Sequence, residues 1–157
     1  MITKRITFKN KDGHDISGIL RIPDEEGKHP VVILCHGFLL HKEHFLMSDL
    51  ANGLSHYGFL TLRFDFLSHG ESGGGLREIT LSQQVRDIRE AVDYLKQHPN
   101  VDTKKIILLG HDLGGAACLL TDKGEVDGIV LLNVRTDLRA FIHSYVNDLD
   151  VKEWLSS

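Results

Sequence analysis

Apolar and polar positions along the chain change period several times, and each change marks an element. Ile2 to Phe8 and Asp15 to Ile22 alternate with the two-residue period of half-buried strands, and the turn-rich Asn10-Lys11-Asp12-Gly13 joins them, which predicts an antiparallel hairpin. Pro23 to Pro30 is polar and loop-like, whereas Val31 to Leu34 is unbroken in its hydrophobicity, as a strand buried on both faces of a parallel sheet must be. Lys42 to His56 predicts a helix with Phe45, Leu46, Leu50 and Leu54 on one side. Gly58 ends it, and Phe59 to Phe64 returns as a strand. Beyond the Gly73-Gly74-Gly75 loop, Leu81, Val85, Ile88, Val92 and Leu95 fall at helical spacing in Leu81 to Gln97, and Pro99 stops the run. Lys105 to Leu109 predicts a strand, a short helix follows through about Leu120, and Asp127 to Asn133 predicts a last strand. The alternation specifies an α/β fold: a doubly wound, mostly parallel sheet with right-handed crossovers behind an N-terminal antiparallel hairpin. With no internal repeat and no linker-like stretch, residues 1–157 are expected to form a single domain.

Composition narrows the partners. With 41% apolar and 25% charged residues the chain has the means to bury a core, so it is not expected to be disordered. Its net charge is −4 and its Lys and Arg are scattered among acids, which argues against a nucleic-acid partner. No run approaches the roughly 18 apolar residues that span a bilayer, and Met1-Ile-Thr-Lys-Arg leads into a strand pattern without a signal-peptide core, so no membrane partner and a cytoplasmic location are expected. Cys35 and Cys118 lack C-x-x-C spacing and are expected to be free buried thiols. His36, His41, His44, His69 and His111 gather near the expected top of the sheet. No H-E-x-x-H or structural-zinc spacing accompanies them, so loop histidines bonded to backbone are expected, with no metal and no cofactor.

The chemistry is concentrated at Gly110-His111-Asp112-Leu113-Gly114-Gly115, directly after the apolar Ile106 to Leu109. This is the nucleophile-elbow pattern G-x-S-x-G with Asp112 in the serine position. In such an elbow a strand ends in a tight turn and a helix starts at once, and flanking glycines are needed because the turn has no room for side chains. A serine there needs a histidine to take its proton, whereas a carboxylate needs no base. Two more segments stand in order before it: Pro30-Val-Val-Ile-Leu-Cys-His-Gly-Phe38 and Arg63-Phe-Asp-Phe-Leu-Ser-His-Gly-Glu-Ser72. Together the three resemble the α/β-hydrolase family, in particular its small bacterial esterases of the feruloyl and cinnamoyl esterase kind, from about Ile2 to Leu138.

The resemblance implies roles. Asp112 takes the catalytic position, and the backbone N–H groups of Phe38 and Leu113 form the oxyanion hole that binds substrate. Asp65 and the Ser68 to Ser72 loop brace the site. A carboxylate at Asp112 is then expected to fill the hole itself or to share it with water. In the family the acidic partner and the histidine follow later strands, so the chain is expected to lack the last strands, with 136–157 as a tail or the start of the lid region. His143, Asp148 and Asp150 lie there and receive no triad role. The Ile129 to Val134 strand is expected at the sheet edge, where it would self-associate, pair with a partner chain or be covered by the tail. Three functions follow. The first is an esterase-like hydrolase of small ester-like molecules, weakly active or inactive because Asp112 replaces serine. The second is a haloalkane or epoxide hydrolase with Asp112 as nucleophile. The third is a non-catalytic binding or scaffolding domain. Leu113-Gly114-Gly115 and the Arg-Phe-Asp segment favour the esterase branch.

Overall fold

The hairpin forms as its alternation requires. In a computed structural model that describes residues 1–121 and 124–137, β1 (Ile2–Lys9) and β2 (Asp15–Ile22) pair antiparallel from Ile2 opposite Ile22 to Lys9 opposite Asp15. Asn10 closes the turn, its Oδ1 accepting from the amides of Asp12 and His14. β3 (His29–Cys35), α1 (Phe45–His56), β4 (Leu60–Phe64), α2 (Leu81–Lys96), β5 (Val101–His111), α3 (Leu113–Leu120) and β6 (Gly128–Leu132) follow. The strands lie in the order β1-β2-β4-β3-β5-β6. β2 meets β4 antiparallel, and the β4-β3-β5-β6 portion is parallel throughout. Among the described residues no helix is long and apolar enough to cross a membrane.

β3 sits at the centre and is buried on both faces, which is why its sequence is unbroken in hydrophobicity. Val31, Ile33 and Cys35 face one core with Ile88, Val92 and Leu95 of α2 and Cys118 of α3. Val32 and Leu34 face the other with Met47 and Ala51 of α1. This two-sided cover is the doubly wound arrangement that the pattern predicts.

Two expectations about α1 need correction. It begins at Phe45, not at Lys42, because the Lys42 amide is bound at 2.6 Å by the Asp65 carboxylate and the chain turns through His41 to His44 before the helix starts. Its core face is Met47 and Ala51, flanked by Leu46, Leu50 and Leu54, while Phe45 points outward at 70% exposure. β5 is longer than expected, starting at Val101, whose partner across the sheet is His29. β6 is the outer strand, as expected, and carries half-exposed Val130 and Leu131.

Candidate active site

The elbow is built by close approach. β5 ends at His111, α3 begins at Leu113, and Asp112 between them lies at φ 51°, a left-handed conformation that a non-glycine residue adopts at a cost. A Cβ on Gly110 would lie 2.5 Å from the Gly115 Cα, and one on Gly114 would lie 2.5 Å from the Cys35 carbonyl oxygen. The helix therefore rests directly on the ends of β5 and β3, and only glycine fits at either place. β6 supplies a further tie, since the Asp112 amide donates to the Leu132 carbonyl at 3.2 Å.

Both oxygens of the Asp112 carboxylate are engaged. The Phe38 amide donates to Oδ2 at 3.1 Å, and Arg135 Nε donates to Oδ1 at 2.6 Å in a charge-assisted bond. Of the residues expected at the site, Asp112 and Phe38 thus come into contact, and Leu113, buried, opens α3 immediately beside them. Sequence reasoning missed Arg135. It lies beyond β6 and 23 positions from Asp112, and no local spacing signals the pairing until β6 is laid beside β5.

The loop that carries Phe38 is held from below. Asp65, just past β4 and fully buried, accepts from the Lys42 amide at 2.6 Å, from Lys42 Nζ at 2.6 Å and from the Glu71 amide at 2.9 Å. Lys42 Nζ also reaches Glu71 Oε2 at 2.7 Å, and that bond holds the Glu71 carboxyl below its ordinary range. Arg63 Nη1 donates to the Lys42 carbonyl at 2.7 Å. Gly70 lies at φ +50° against the Asp65 carboxylate, where a side chain would collide with it. On the other side of the loop, Asp87 of α2 accepts from the Leu67 amide at 2.9 Å and from Gln83 Nε2 at 2.8 Å, and burial raises its carboxyl.

Of the five histidines expected to bond to backbone, His36, His41 and His69 do, whereas Nδ1 of His44 and Nδ1 of His111 are buried with no hydrogen-bond partner among the described residues. His36 is fully buried, with Nδ1 2.8 Å from the Gly37 carbonyl and Nε2 3.2 Å from the Phe66 amide. An amide can only donate, so Nε2 accepts and Nδ1 carries the proton, which fixes a neutral tautomer. Burial pushes this ring from 6.5 down to about 4. His69 makes the same kind of contact, Nδ1 to the Leu67 carbonyl at 3.0 Å, and burial lowers it too. Cys35 and Cys118 are both free and buried; burial, and then a hydrogen bond between the two thiols, pushes Cys35 well up. Among the described residues no three His, Cys, Asp or Glu side chains gather as metal ligands. His143, Asp148 and Asp150, in the expected tail at 136–157, lie outside the described residues.

Residues 32–155 match the family described as Alpha/beta hydrolase family. An uncharacterised 31.7 kDa protein of Escherichia coli is 30% identical over 135 residues, covering 78% of this chain and 47% of that one. The polyketide transferase ATR5 of Stachybotrys chlorohalonatus is 32% identical over 120 residues, covering 76% and 39%. The esterase EstD of Thermotoga maritima is 27% identical over 135 residues, covering 80% and 32%. Among solved structures, ferulic-acid-bound Est1E from Butyrivibrio proteoclasticus superposes with a TM-score of 0.80 at 26% identity, covering 88% of this chain and 56% of that one. The chain spans less than half the length of the curated relatives it matches here.

Proposed function

The chain belongs to the alpha/beta hydrolase family, and from that premise we propose that it carries an esterase-like site for small ester-like molecules that is silent, or nearly so, because Asp112 occupies its own oxyanion hole. The observation that carries this reading is the double engagement of the Asp112 carboxylate by the Phe38 amide and Arg135 Nε. A substrate carbonyl oxygen would need the Phe38 donor as its charge develops, and that donor is already spent on Asp112. Attack by a carboxylate on an ester would also yield an anhydride rather than a stable acyl-enzyme. The esterase EstD and the ferulic acid bound to Est1E support the substrate class.

The same contacts disfavour alkyl transfer. A haloalkane or epoxide hydrolase needs an available carboxylate lone pair, whereas Arg135 Nε at 2.6 Å draws charge from Oδ1. The free thiols Cys35 and Cys118, side by side and unbridged, favour a reducing compartment and hence the cytoplasm. The outer edge of β6 is assigned to pairing with a second copy or another chain. Sedimentation over a dilution series that finds only monomer refutes pairing between copies.

The test of the site is a panel of short p-nitrophenyl esters, a haloalkane and an epoxide, run on the native chain and on Asp112→Ser. The native chain is expected to release nothing above background. Ester turnover by the native chain refutes the silent reading. Halide or diol release by it, lost in Asp112→Ser, establishes alkyl transfer instead.

A further inference from the structure

Two thiols meet beneath the elbow. Cys35 ends β3 and stands opposite Gly110 in the parallel pairing of β3 with β5, so side chains at that register position share one face of the sheet. Gly110 has no side chain, and Cys118 of α3 takes the space, since a Cβ on Gly110 would lie 2.8 Å from Cys118 Sγ. The Cys118 sulfur is thus set about one strand spacing from the Cys35 backbone, in the core that Cys35 itself faces. The two thiols are hydrogen-bonded to each other, and neither residue is exposed. One turn before Cys118, a Cβ on Gly114 would lie 2.5 Å from the Cys35 carbonyl oxygen, so α3 rests on the end of β3 at backbone contact. Sulfurs that touch across elements packed this closely can be bridged without moving either backbone far, which is the first demand of a disulfide.

We propose that Cys35 and Cys118 are a cryptic redox pair, which a low-molecular-weight disulfide such as oxidised glutathione converts to an internal disulfide that fastens α3, and with it the elbow, to the central strand. In the folded dithiol both sulfurs are shielded and burial holds the Cys35 thiol protonated, so exchange begins when α3 lifts from the sheet. The thiolate of one cysteine attacks a sulfur of oxidised glutathione and expels one glutathione thiolate. The thiolate of the other attacks the protein sulfur of that mixed disulfide, forms the Sγ–Sγ bond and expels the second glutathione. The cysteines lose two electrons, the glutathione disulfide gains them, and the two thiol protons pass to the expelled thiolates. Once α3 settles back, the bond lies where the sulfurs already touched. It closes the long loop from residue 35 to residue 118, so it restrains the unfolded chain while leaving the fold as it was. Excess reduced glutathione reopens it by the reverse steps, and the pair acts whether or not the elbow turns over esters.

The test equilibrates the full chain with glutathione buffers of graded redox ratio, once in plain buffer and once in concentrated urea, and reads each form by mass spectrometry after acid quench and alkylation. An internal bond, two hydrogens lighter and joining the Cys35 and Cys118 peptides, is expected to form in both. Its equilibrium constant is expected to be larger in the folded chain by at least about tenfold, because the cross-link restrains only the unfolded state. The urea midpoint of the cross-linked chain is expected to lie above that of the dithiol and to return on reduction. Cys118→Ala is expected to show no internal bond and no such rise. An equal or smaller constant in the folded chain overturns the proposal, because the native geometry would then oppose the bond. Glutathione adducts or disulfide-linked dimers in place of the internal bond, or a cross-linked chain with the amide NMR spectrum of an unfolded one, overturn it as well.

Discussion

Lys42→Met is expected to cost this protein more than any exposed charge change. The lysine side chain is 2% exposed and that of its partner Asp65 is 0%, so neither ion is hydrated. Removing Lys42 Nζ deletes the 2.6 Å bond to Asp65 but leaves the amides of Lys42 and Glu71 on the same carboxylate. Breaking a buried pair from one side costs about 3–5 kcal/mol. The two surviving donors place this case at the lower end, about 3 kcal/mol, which is roughly a hundredfold in the folded-to-unfolded ratio. Urea unfolding at pH 7, extrapolated to water with an unchanged slope, measures it. The double change Lys42→Met with Asp65→Asn removes both charges and is expected to cost less than the sum of the single changes by about 1–3 kcal/mol. Arg5→Ala is the contrast. Arg5 pairs with Glu43 and Glu71 from a side chain that is 65% exposed, and its loss is expected to cost no more than about 1 kcal/mol. A cost for Lys42→Met below about 1 kcal/mol, or strict additivity in the double variant, would refute the argument that the buried charge of Asp65 governs the loop.

The remaining expectations concern groups that burial perturbs. His36 sits at about 4 when folded against 6.5 in its unperturbed form, so between those values the unfolded chain binds a proton that the folded chain refuses. Stability is therefore expected to fall as pH drops from about 6.5 to 4, by roughly 3 kcal/mol from this ring. His36→Gln is expected to flatten that part of the urea-midpoint profile, and an unchanged slope would refute the assignment. Cys35 and Cys118, buried with the Cys35 thiol held protonated, are expected to resist a thiol reagent such as DTNB in the native state and to react at the rate of opening. Prompt modification of either in native buffer would contradict their packing.

The strands were legible because one physical demand, burial, writes itself directly into spacing: Val31 to Leu34 reads as a two-faced strand and is one. The elbow was legible because Gly110 and Gly114 are forced by backbone contact, and such contact tolerates no substitute. Lys42 and Arg135 were illegible for the opposite reason. A lysine in a polar loop looks solvated until Asp65 is brought beneath it, and Asp112, which Arg135 binds, lies 23 positions away in the sequence. The start of α1 failed with Lys42, since the helix boundary is set there by a tertiary hydrogen bond rather than by a local cap. Helical spacing puts Phe45 on one side with Leu46, Leu50 and Leu54, yet it stands at the first position of α1 and is 70% exposed, and single exposed apolar residues of this kind are common.

The strand order carries a consequence in time. β3, third from the N-terminus, is flanked by β4 and β5, so its second edge stays unpaired until residue 111 has been made. Asp112 waits longer, because its amide is tied only when Leu132 has emerged and β6 has docked. During synthesis a strand that the finished fold buries on both faces is thus exposed early, while the elbow closes only after β6 has docked, and non-local pairing of this kind is slow. The chain must guard a greasy central edge from the time Cys35 is made until Gly110 arrives to pair with it.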